Sequence, residues 1–322
     1  EPALAARFPG LITLGGYAKD QPSVKLRATW KNQDATVAPN GNGQLSLMIF
    51  DPAERWVIRP TVGTDHYEMG TETDFAHLRQ AFQCMVEDNG GLHDHDHTAE
   101  SPQSSSPYPI GEELRSYRMA VATTSAYTGY HAIGTDTAAV LAAVLTSVNR
   151  ISEVYESDLS ITFTLVDETT KTFYFGSDPF SGSGPLGFLH DLLVDSIGLQ
   201  DFDIGHLFDV GGGGVASLGS VCTSNRKGSG YTSLNPPEGD PFDIDYLAHE
   251  VGHQFAGNHT FNSCNPSQGP QPYEPGSGVT IMAYAGICAV DNVANRSIPQ
   301  FHAVSILEMT QFSQFGTGIV CL

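Results

Sequence analysis

Alternating apolar and polar positions predict β-strands in the first seventy residues of the chain. The alternation is clearest at Val24, Leu26, Ala28 and Trp30, which are separated by polar or basic residues. Side chains of a strand point alternately to its two faces, so a period of two marks a half-buried strand. Residues 45–50 predict a second strand, after a turn rich in Asn and Gly. A small β-rich unit is therefore expected at the amino end.

Further along, apolar runs of strand length alternate with helical patterns. The strand candidates are residues 117–122, 161–166 and 204–208, and the helix candidates are residues 135–157 and 185–197. In the longer helix, apolar residues recur every three or four positions, which gives it one apolar face. Strands separated by helices predict a mostly parallel sheet with helices packed on it.

A segment of flexible composition separates the two patterns. Residues 101–107 are mostly Ser and Pro, and in residues 93–97 His alternates with Asp. This composition is typical of an exposed linker, where proteases cut most readily. We therefore divide the chain into residues 1–110 and 111–322. The histidine tract leaves two interpretations open, a solvated linker with weak metal affinity or a functional metal site.

Charge and hydropathy narrow the range of functions. The 322 residues include 15 Lys and Arg against 36 Asp and Glu, a formal net charge of −21, which disfavours binding to a phosphate backbone. Nucleic acid is therefore not an expected partner. No run of 18 apolar residues occurs, so no membrane span is expected either. The chain starts at Glu1 without a Met, as expected of an exported protein after removal of a secretion signal.

The chemistry of the chain centres on residues 249–261, which contain the pattern H-E-x-x-H-x-x-G-x-x-H. On a helix, His249 and His253 share one face and can hold one metal ion. Gly257 is expected to take the left-handed conformation at the helix end and to return His259 as a third ligand. Three neutral imidazoles leave the fourth position of a zinc ion open, which is typical of catalytic rather than structural sites.

Glu250 follows the first histidine and lies about 100° further round the helix. It is expected to reach the ion through a water molecule rather than by direct ligation. The carboxylate would take a proton from that water and pass it to the departing amine of a peptide. The alternative is an amphipathic helix with surface histidines, which is disfavoured because five residue types at fixed spacing rarely coincide by chance.

A second element lies downstream, where residues 278–286 read G-V-T-I-M-A-Y-A-G. This stretch resembles the methionine-containing turn of the metzincins, whose signature is the long histidine motif. In that resemblance Met282 lies beneath the three histidines as an apolar support and is not a ligand. Tyr284 stands where astacins and serralysins place a tyrosine beside the zinc. Its phenol could ligate the metal or donate a hydrogen bond to the oxyanion, and the alternative is a place in the pocket wall.

The resemblance narrows to the secreted bacterial reprolysin-like, or adamalysin-related, metallopeptidases. It covers most of residues 114–322, including the stretches 203–208 and 211–222. It implies an α/β (α+β) catalytic domain, with a mixed, mostly parallel twisted sheet, an active-site helix and a Met-turn. A small β-rich pro-domain precedes such domains and acts as an intramolecular inhibitor. One departure is Thr260, since adamalysins usually carry aspartate after the third histidine.

Glycine-rich residues 211–219 have two interpretations. A phosphate-binding loop is disfavoured because the stretch lacks the Gly-Lys-Ser/Thr ending. An edge strand is favoured, and in metzincins the corresponding strand runs antiparallel to the bound substrate. Backbone pairing of this kind holds an extended peptide and leaves specificity to side-chain pockets. Gly213, Val215 and Ala216 are the candidate substrate-binding residues.

The residues before the motif contain three aspartates. Asp240 is expected to cap the active-site helix, with Pro241 at its first position and Asp243 in its first turn. Together with Asp245, these carboxylates leave calcium binding open as an alternative, although capping is favoured.

Four of the five cysteines lie in the last third of the chain, which fits two disulfides formed in an oxidising compartment. Four cysteines permit three connectivities. We favour Cys222 with Cys321, which closes the chain end onto the sheet, and Cys264 with Cys288, which clamps the loop after the third histidine. Cys84 is left without a partner in this scheme.

Cys84 is therefore a candidate inhibitory switch. A thiolate on the zinc ion would displace the water and keep the peptidase latent. The resemblance to pro-reprolysins supports this interpretation. The surrounding residues 82–87 lack the Pro and Gly of familiar switch motifs, so a buried thiol and an intermolecular bridge remain alternatives.

These observations predict a secreted, zinc-dependent endopeptidase made as a latent zymogen, acting outside the cell on extended protein or peptide substrates. The alternative is a metzincin-fold binding or adhesion module without turnover. The presence of Glu250 disfavours that alternative, because a module that only binds zinc has no use for a carboxylate beside the water.

Overall fold

Two β-sheets organise the part of the chain that the computed structural model describes. That part comprises residues 2–19, 21–32, 34–36, 43–50, 55–61, 66–71, 84–87, 113–180, 185–264, 269–319 and 321. The first sheet has five strands and the second has six. The predicted linker and its histidine tract lie outside the described residues.

The five-stranded sheet is an antiparallel meander of amino-terminal residues. After helix α1 (Pro2–Arg7), its strands follow in chain order: β1 (Leu11–Ala18), β2 (Gln21–Asn32), β3 (Gly43–Phe50), β4 (Arg55–Pro60) and β5 (Tyr67–Thr71). The two strands expected from the sequence correspond to β2 and β3, which pair with Trp30 opposite Leu45. The period of two places Lys25, Arg27 and Lys31 on the face of β2 that meets the rest of the protein.

The six-stranded sheet is mixed and mostly parallel. Its strands are β6 (Cys84–Glu87), β7 (Arg115–Thr123), β8 (Ile161–Leu165), β9 (Ile204–Asp209), β10 (Gly213–Ser217) and β11 (Gly230–Ser233). Their order in space is β6-β10-β11-β9-β7-β8, and β10 with β11 is the antiparallel pair among these strands. The mostly parallel sheet expected from the sequence is therefore confirmed, with β6 added from the amino-terminal region.

Six helices accompany this sheet in the described residues. They are α2 (Ser125–His131), α3 (Thr137–Leu159), α4 (Pro185–Ser196), α5 (Gly239–Phe242), α6 (His249–Gln254) and α7 (Ala303–Phe315). Of these helices, α2, α3, α4 and α6 contact strands of the sheet. A π-helical turn, Asp243–Ala248, joins α5 to α6, and 3-10 turns lie at Thr169–Thr172, Ala289–Asp291 and Thr317–Ile319. At the start of α3 the Asp136 carboxylate accepts a hydrogen bond from the Ala139 amide, and at its end Ser160 takes the left-handed conformation.

α3 is a central helix of the core. Its apolar face, which includes Val140, Val144 and Ile151, is fully buried. By length and composition α3 could cross a membrane, the one such helix in the described ranges, but half of its most apolar stretch is buried inside the protein. Core helices share this property, so α3 is weak evidence for a membrane span.

Four ion pairs join the five-stranded sheet to the rest of the protein. The pairs are Lys25–Glu153, Arg27–Glu156, Lys31–Asp136 and Arg59–Glu238, with N···O distances of 3.9, 2.5, 3.0 and 2.7 Å. A cavity of about 360 Å³ remains between strands β2 to β4 and helix α3. The interface therefore combines these polar contacts and an open pocket with apolar contacts of Leu4 and Leu11 to the core.

Two disulfides close the carboxy-terminal part of the chain. Cys222 bonds to Cys321, and Cys264 bonds to Cys288. This is the connectivity favoured from the sequence. The first bond ties the chain end to the loop after β10, and the second spans the loop that follows the third histidine.

The start of the helical segment before the motif differs from the prediction. Asp240 is not the cap, because α5 begins at Gly239 and Glu238 holds the cap position without a side-chain hydrogen bond. The Asp240 carboxylate instead accepts from the Arg150 guanidinium at 2.6 and 2.8 Å. Arg150 is 1% exposed, and a buried cation without a partner costs far more than an uncapped amide.

Candidate metal centre and active site

α6 carries the first two histidines of the motif and ends in a tight turn. Its last residue is Gln254, and Ala256, not Gly257, takes the left-handed conformation, with φ 69°. The expectation of a left-handed Gly257 is therefore wrong. The Gly257 amide donates to the Gly252 carbonyl at 2.9 Å, and a Cβ at Gly257 would lie 3.1 Å from that oxygen. Close approach, rather than φ, favours glycine there, and the turn returns the chain to His259.

The turn brings three imidazoles together. The Nε2 atoms of His249 and His253 lie 3.1 Å apart, and those two atoms lie 3.1 and 2.9 Å from Nε2 of His259. Tetrahedral zinc with nitrogen bonds of about 2.0–2.1 Å would separate its ligands by about 3.3 Å, close to these distances. Within the described residues, this is the cluster of His, Cys, Asp or Glu side chains that could hold a metal ion.

Hydrogen bonds to backbone carbonyls orient two of the rings. Nδ1 of His249 lies 2.7 Å from the Ile281 oxygen, and Nδ1 of His253 lies 2.7 Å from the Gly257 oxygen. Because a carbonyl only accepts, each Nδ1 carries the proton and each neutral ring has an unprotonated Nε2. Two lone pairs then point at one another without a proton between them. A cation between the Nε2 atoms removes this repulsion, so these residues fit a metal ion.

Burial keeps the rings neutral. It lowers the pKa of His249 to about 4, although the bond to Ile281 opposes the shift. The pKa values of His253 and His259 lie well below the usual value, first because the rings are buried and then because a neighbouring imidazole disfavours a second positive charge. Neutral imidazole is the form that ligates metals.

Glu250 lies between α6 and the strand predicted to bind substrate. Its side chain is fully buried. Its carboxylate adjoins Gly214 of β10 so closely that a Cβ at Gly214 would collide with it. Only glycine permits this approach. The candidate general base and the candidate substrate strand are therefore direct neighbours.

Met282 packs beneath α6. It is fully buried, and its Sδ occupies the space that a side chain at Gly252 would need. The Met282 carbonyl accepts from the Thr260 amide at 3.1 Å, and the preceding Ile281 carbonyl orients His249. The segment around Met282 is thus bonded to both ends of the histidine motif.

Tyr284 lies beside two of the histidines and is half-buried. Its ring centroid is 4.6 Å from that of His259 and 5.9 Å from that of His249, and it stacks on Phe261 at 4.3 Å. This position is compatible with two of the roles considered from the sequence, a pocket wall and a hydrogen-bond donor.

β10 contains Gly213, Val215 and Ala216, but it is not an edge strand. β6 lies parallel to it on the side away from β11, with Cys84 opposite Gly214 in register. The expectation that β10 is an edge strand is therefore wrong while residues 84–87 are paired with it. Its physical reason is that a short strand from a distant part of the sequence satisfies backbone groups that β10 would otherwise expose.

The three aspartates before the motif do not share a site. Asp240 pairs with Arg150, and an Asp245 oxygen accepts from the Ser297 amide at 2.8 Å. Asp243 is buried, and burial raises its pKa to about 7. A calcium site at these residues finds no support in these contacts.

Two polar residues next to the centre were missed from the sequence. His206 of β9 is buried, with its ring nitrogens 2.8 Å from Gln254 and 2.8 Å from Thr232, and thereby supports α6 from the sheet. Glu274 is 5% exposed and bonded to Thr260. A histidine inside an apolar strand is a signal that could have marked the first residue. The second lies outside any spacing motif.

The family model described as Metallo-peptidase family M12B Reprolysin-like matches residues 114–312, more than half of the chain. The match begins at β7 and ends within α7, so it includes the three histidines and the Met282 segment. No curated protein was found to match the chain.

Proposed function

The chain belongs to the reprolysin-like metallopeptidases of family M12B, a family of zinc metalloendopeptidases, and we propose that it is an exported endopeptidase made in a latent form. His249, His253 and His259 hold the zinc ion, and Glu250 moves the protons. The substrate is an extended segment of a protein or peptide. Two disulfides support action in an oxidising compartment, such as the cell exterior.

One observation carries the assignment of the metal site. Two buried, neutral imidazoles commit their Nδ1 protons to carbonyl oxygens and hold their unprotonated Nε2 atoms 3.1 Å apart. The third histidine adds another nitrogen within 3.1 Å of both. A structural network of histidines would place a proton between each pair of nitrogens. A centre of converging lone pairs is instead organised for a cation.

Zinc, when bound, acidifies a water molecule and polarises the substrate carbonyl. Glu250 takes a proton from the attacking water and gives it to the amine that departs. Its burial beside Gly214 puts the carboxylate next to the backbone of a substrate paired with β10. Tyr284 donates a hydrogen bond to the carbonyl oxygen as negative charge develops there. Met282 supports the histidines from below.

The pairing of β6 with β10 supports the proposed latent state. Gly213, Val215 and Ala216 offer backbone groups to an extended chain, but β6 pairs with that side of β10. An incoming substrate must therefore displace β6. Because β6 runs parallel to β10 and the expected substrate runs antiparallel, the two cannot share the strand. Residues 1–110 thus act as an inhibitor that is covalently attached to the enzyme.

Cys84 is the candidate switch within this inhibitor. It stands in register opposite Gly214, the residue that adjoins Glu250. A thiolate is a good zinc ligand and would exclude the water from the fourth position. Cleavage in the linker, followed by release of residues 1–110, would remove both β6 and the thiol.

The test is digestion of an unfolded protein mixture by the chain before and after limited proteolysis of the linker, with new termini mapped by mass spectrometry. The cleaved parent should cut, and Glu250→Gln should lose at least about 10³-fold in kcat/KM while keeping its zinc. Glu168→Gln is the matched control, since Glu168 is an exposed carboxylate paired with Lys171 away from the centre. It should retain full activity.

The outcomes separate the parts of the proposal. Activity that appears only after linker cleavage supports latency, and equal activity before and after it contradicts latency. Cys84→Ser should raise the activity of the uncut chain if the thiol is the switch. A cleaved parent that holds zinc and yet cuts nothing would favour the binding module instead.

A further inference from the structure

Glu274 lies in the segment between the third histidine and Met282, and its side chain is almost fully enclosed. It is 5% exposed. One carboxylate oxygen accepts from the backbone amides of Val279 and Thr280, at 2.8 and 3.0 Å. This oxygen is thereby tied to the turn that leads to Met282.

The second carboxylate oxygen faces the histidine motif. It accepts from the hydroxyl groups of Thr260 and Thr280, at 2.5 Å each. Thr260 directly follows His259 in the chain. The Glu274 amide also donates to the Thr260 carbonyl at 2.9 Å, so side chain and backbone hold the same residue.

One carboxylate therefore reaches two of the three rings through their neighbours. It fixes Thr260 and with it the loop of His259, and it fixes Val279 and Thr280 and with them the following Ile281. The Ile281 carbonyl in turn holds Nδ1 of His249 at 2.7 Å. Burying a carboxylate is costly unless donors surround it, and four donors do so here. A satisfied buried network of this kind permits one arrangement of the groups it joins.

We propose that Glu274 is a positioning residue of the metal centre, holding His259 through Thr260 and His249 through the turn at residues 279–281. This inference rests on the proposed zinc site. Groups that orient metal ligands contribute about 10–100-fold to metal affinity, and a loss of that size is expected without Glu274. Thr260 is suited to this arrangement, because its hydroxyl donates to a carboxylate supplied from another part of the chain.

The experiment measures zinc affinity by competition with a chelator, on the full chain after linker cleavage, for the parent and Glu274→Gln. Glutamine keeps the size of the side chain but replaces an accepting oxygen with an amide that donates. Zinc affinity should fall about 10–100-fold, with kcat lower in proportion to the zinc lost. A purely structural role would lower the Tm of the zinc-free protein and leave zinc affinity within about twofold, which would overturn the proposal.

Thr260→Val provides a second variant in case Glu274→Gln does not fold. It removes one hydroxyl at nearly constant volume and should weaken zinc binding at least severalfold. The matched controls are Thr162→Val and Glu156→Gln, because the Thr162 hydroxyl in β8 donates to the Glu156 carboxylate in α3 at 2.7 Å, a hydrogen bond of the same kind. These controls should leave zinc affinity unchanged. Equal losses in Thr260→Val and Thr162→Val would contradict the proposal.

Failure of the inference and failure of the proposed function give different results. If the parent binds no zinc, the proposed function is wrong. If the parent binds zinc tightly and both Glu274→Gln and Thr260→Val bind it equally well, the metal centre stands and Glu274 has no positioning role.

Discussion

Different interactions stabilise the amino-terminal sheet and the peptidase region. Among the described residues, the buried apolar side chains before residue 110 are Leu4, Val24, Ala28, Ala35 and Met48. Leu4 joins a large apolar cluster whose other buried members lie between Tyr117 and Met309, and a second, smaller cluster also lies in the peptidase region. Burial of apolar area is the main source of stability, so the peptidase region has a core of its own. The amino-terminal sheet depends more on its docking contacts.

The docking contacts of the amino-terminal sheet bear on the proposed release of residues 1–110. They include four ion pairs, and a pocket of about 360 Å³ remains in the interface. Partly exposed ion pairs contribute little to stability, and an unfilled cavity forfeits van der Waals contacts. We therefore expect the peptidase region to remain folded when residues 1–110 are released, as the proposed latent form requires.

The largest expected effect is in the peptidase core. Phe255→Ala should lower the free energy of unfolding by about 3–5 kcal/mol, because the ring is fully buried against the rings of Tyr117, Tyr155 and Phe163. Met48→Ala in the amino-terminal sheet should cost about 2 kcal/mol or less, since Met48 borders the cavity. Urea denaturation measures both. Equal costs would contradict the contrast between the two regions.

The next largest effect concerns the disulfides of the peptidase region. Loss of Cys222–Cys321, which spans 99 residues, should lower the free energy of unfolding by about 2–5 kcal/mol. Loss of Cys264–Cys288, which spans 24, should cost about 1 kcal/mol less, because a shorter loop restricts the unfolded chain less. The double Cys→Ser variants test this in urea. The reverse order would exclude the chain-entropy explanation.

A smaller, pH-dependent effect is expected at Asp243, which borders the cavity between the two regions. Burial raises its pKa to about 7 in the folded protein, against about 3.9 in the unfolded chain. The folded state therefore favours the protonated carboxyl, and this stability is full below pH 4 and lost as pH rises through 7. Asp243→Asn should raise Tm at pH 8 and change it little at pH 4. A gain that is independent of pH would contradict this assignment.

The smallest effect is expected from a single docking ion pair. A double-mutant cycle of Arg27→Ala and Glu156→Ala should give a coupling energy of about 0.2–1 kcal/mol, because both side chains are partly exposed. The control cycle uses Lys171 and Glu168, a more exposed pair within the peptidase region, and should give no more than this. A coupling energy above about 2 kcal/mol would show that the docking is tighter than its contacts suggest.

Much of the fold and of the candidate site could be predicted from local patterns. The alternating positions of β2 and the helical period of the apolar residues in α3 identify one face of each element, because a side chain's direction follows from the local backbone. The pairing of Cys222 with Cys321 and of Cys264 with Cys288 was favoured from position along the chain. The histidine spacing predicted the convergence that the structure contains.

Other features could not be predicted, and each has a physical reason. The local pattern predicts Asp240 as a helix cap. Its carboxylate instead pairs with the buried Arg150 guanidinium, ninety residues away, because an unpaired buried cation costs more free energy than an uncapped helix. The sequence predicts a left-handed Gly257, whereas Ala256 takes that conformation and the nearby Gly252 oxygen favours glycine at position 257. Steric demands from a neighbouring turn leave no periodic trace in the sequence.

The histidine motif and the methionine-containing stretch can be identified from the sequence: two imidazoles and a carboxylate at helical spacing, and a third imidazole beyond the end of that helix. Only the tertiary structure decided what surrounds them. It put Glu274, fourteen residues beyond Thr260, under the histidine loop, and it laid β6 along β10, where Cys84 meets Gly214. Spacing along a helix is a property of consecutive residues. Contacts between distant segments arise when folding brings those segments together. The spacing of residues within the motif does not specify them.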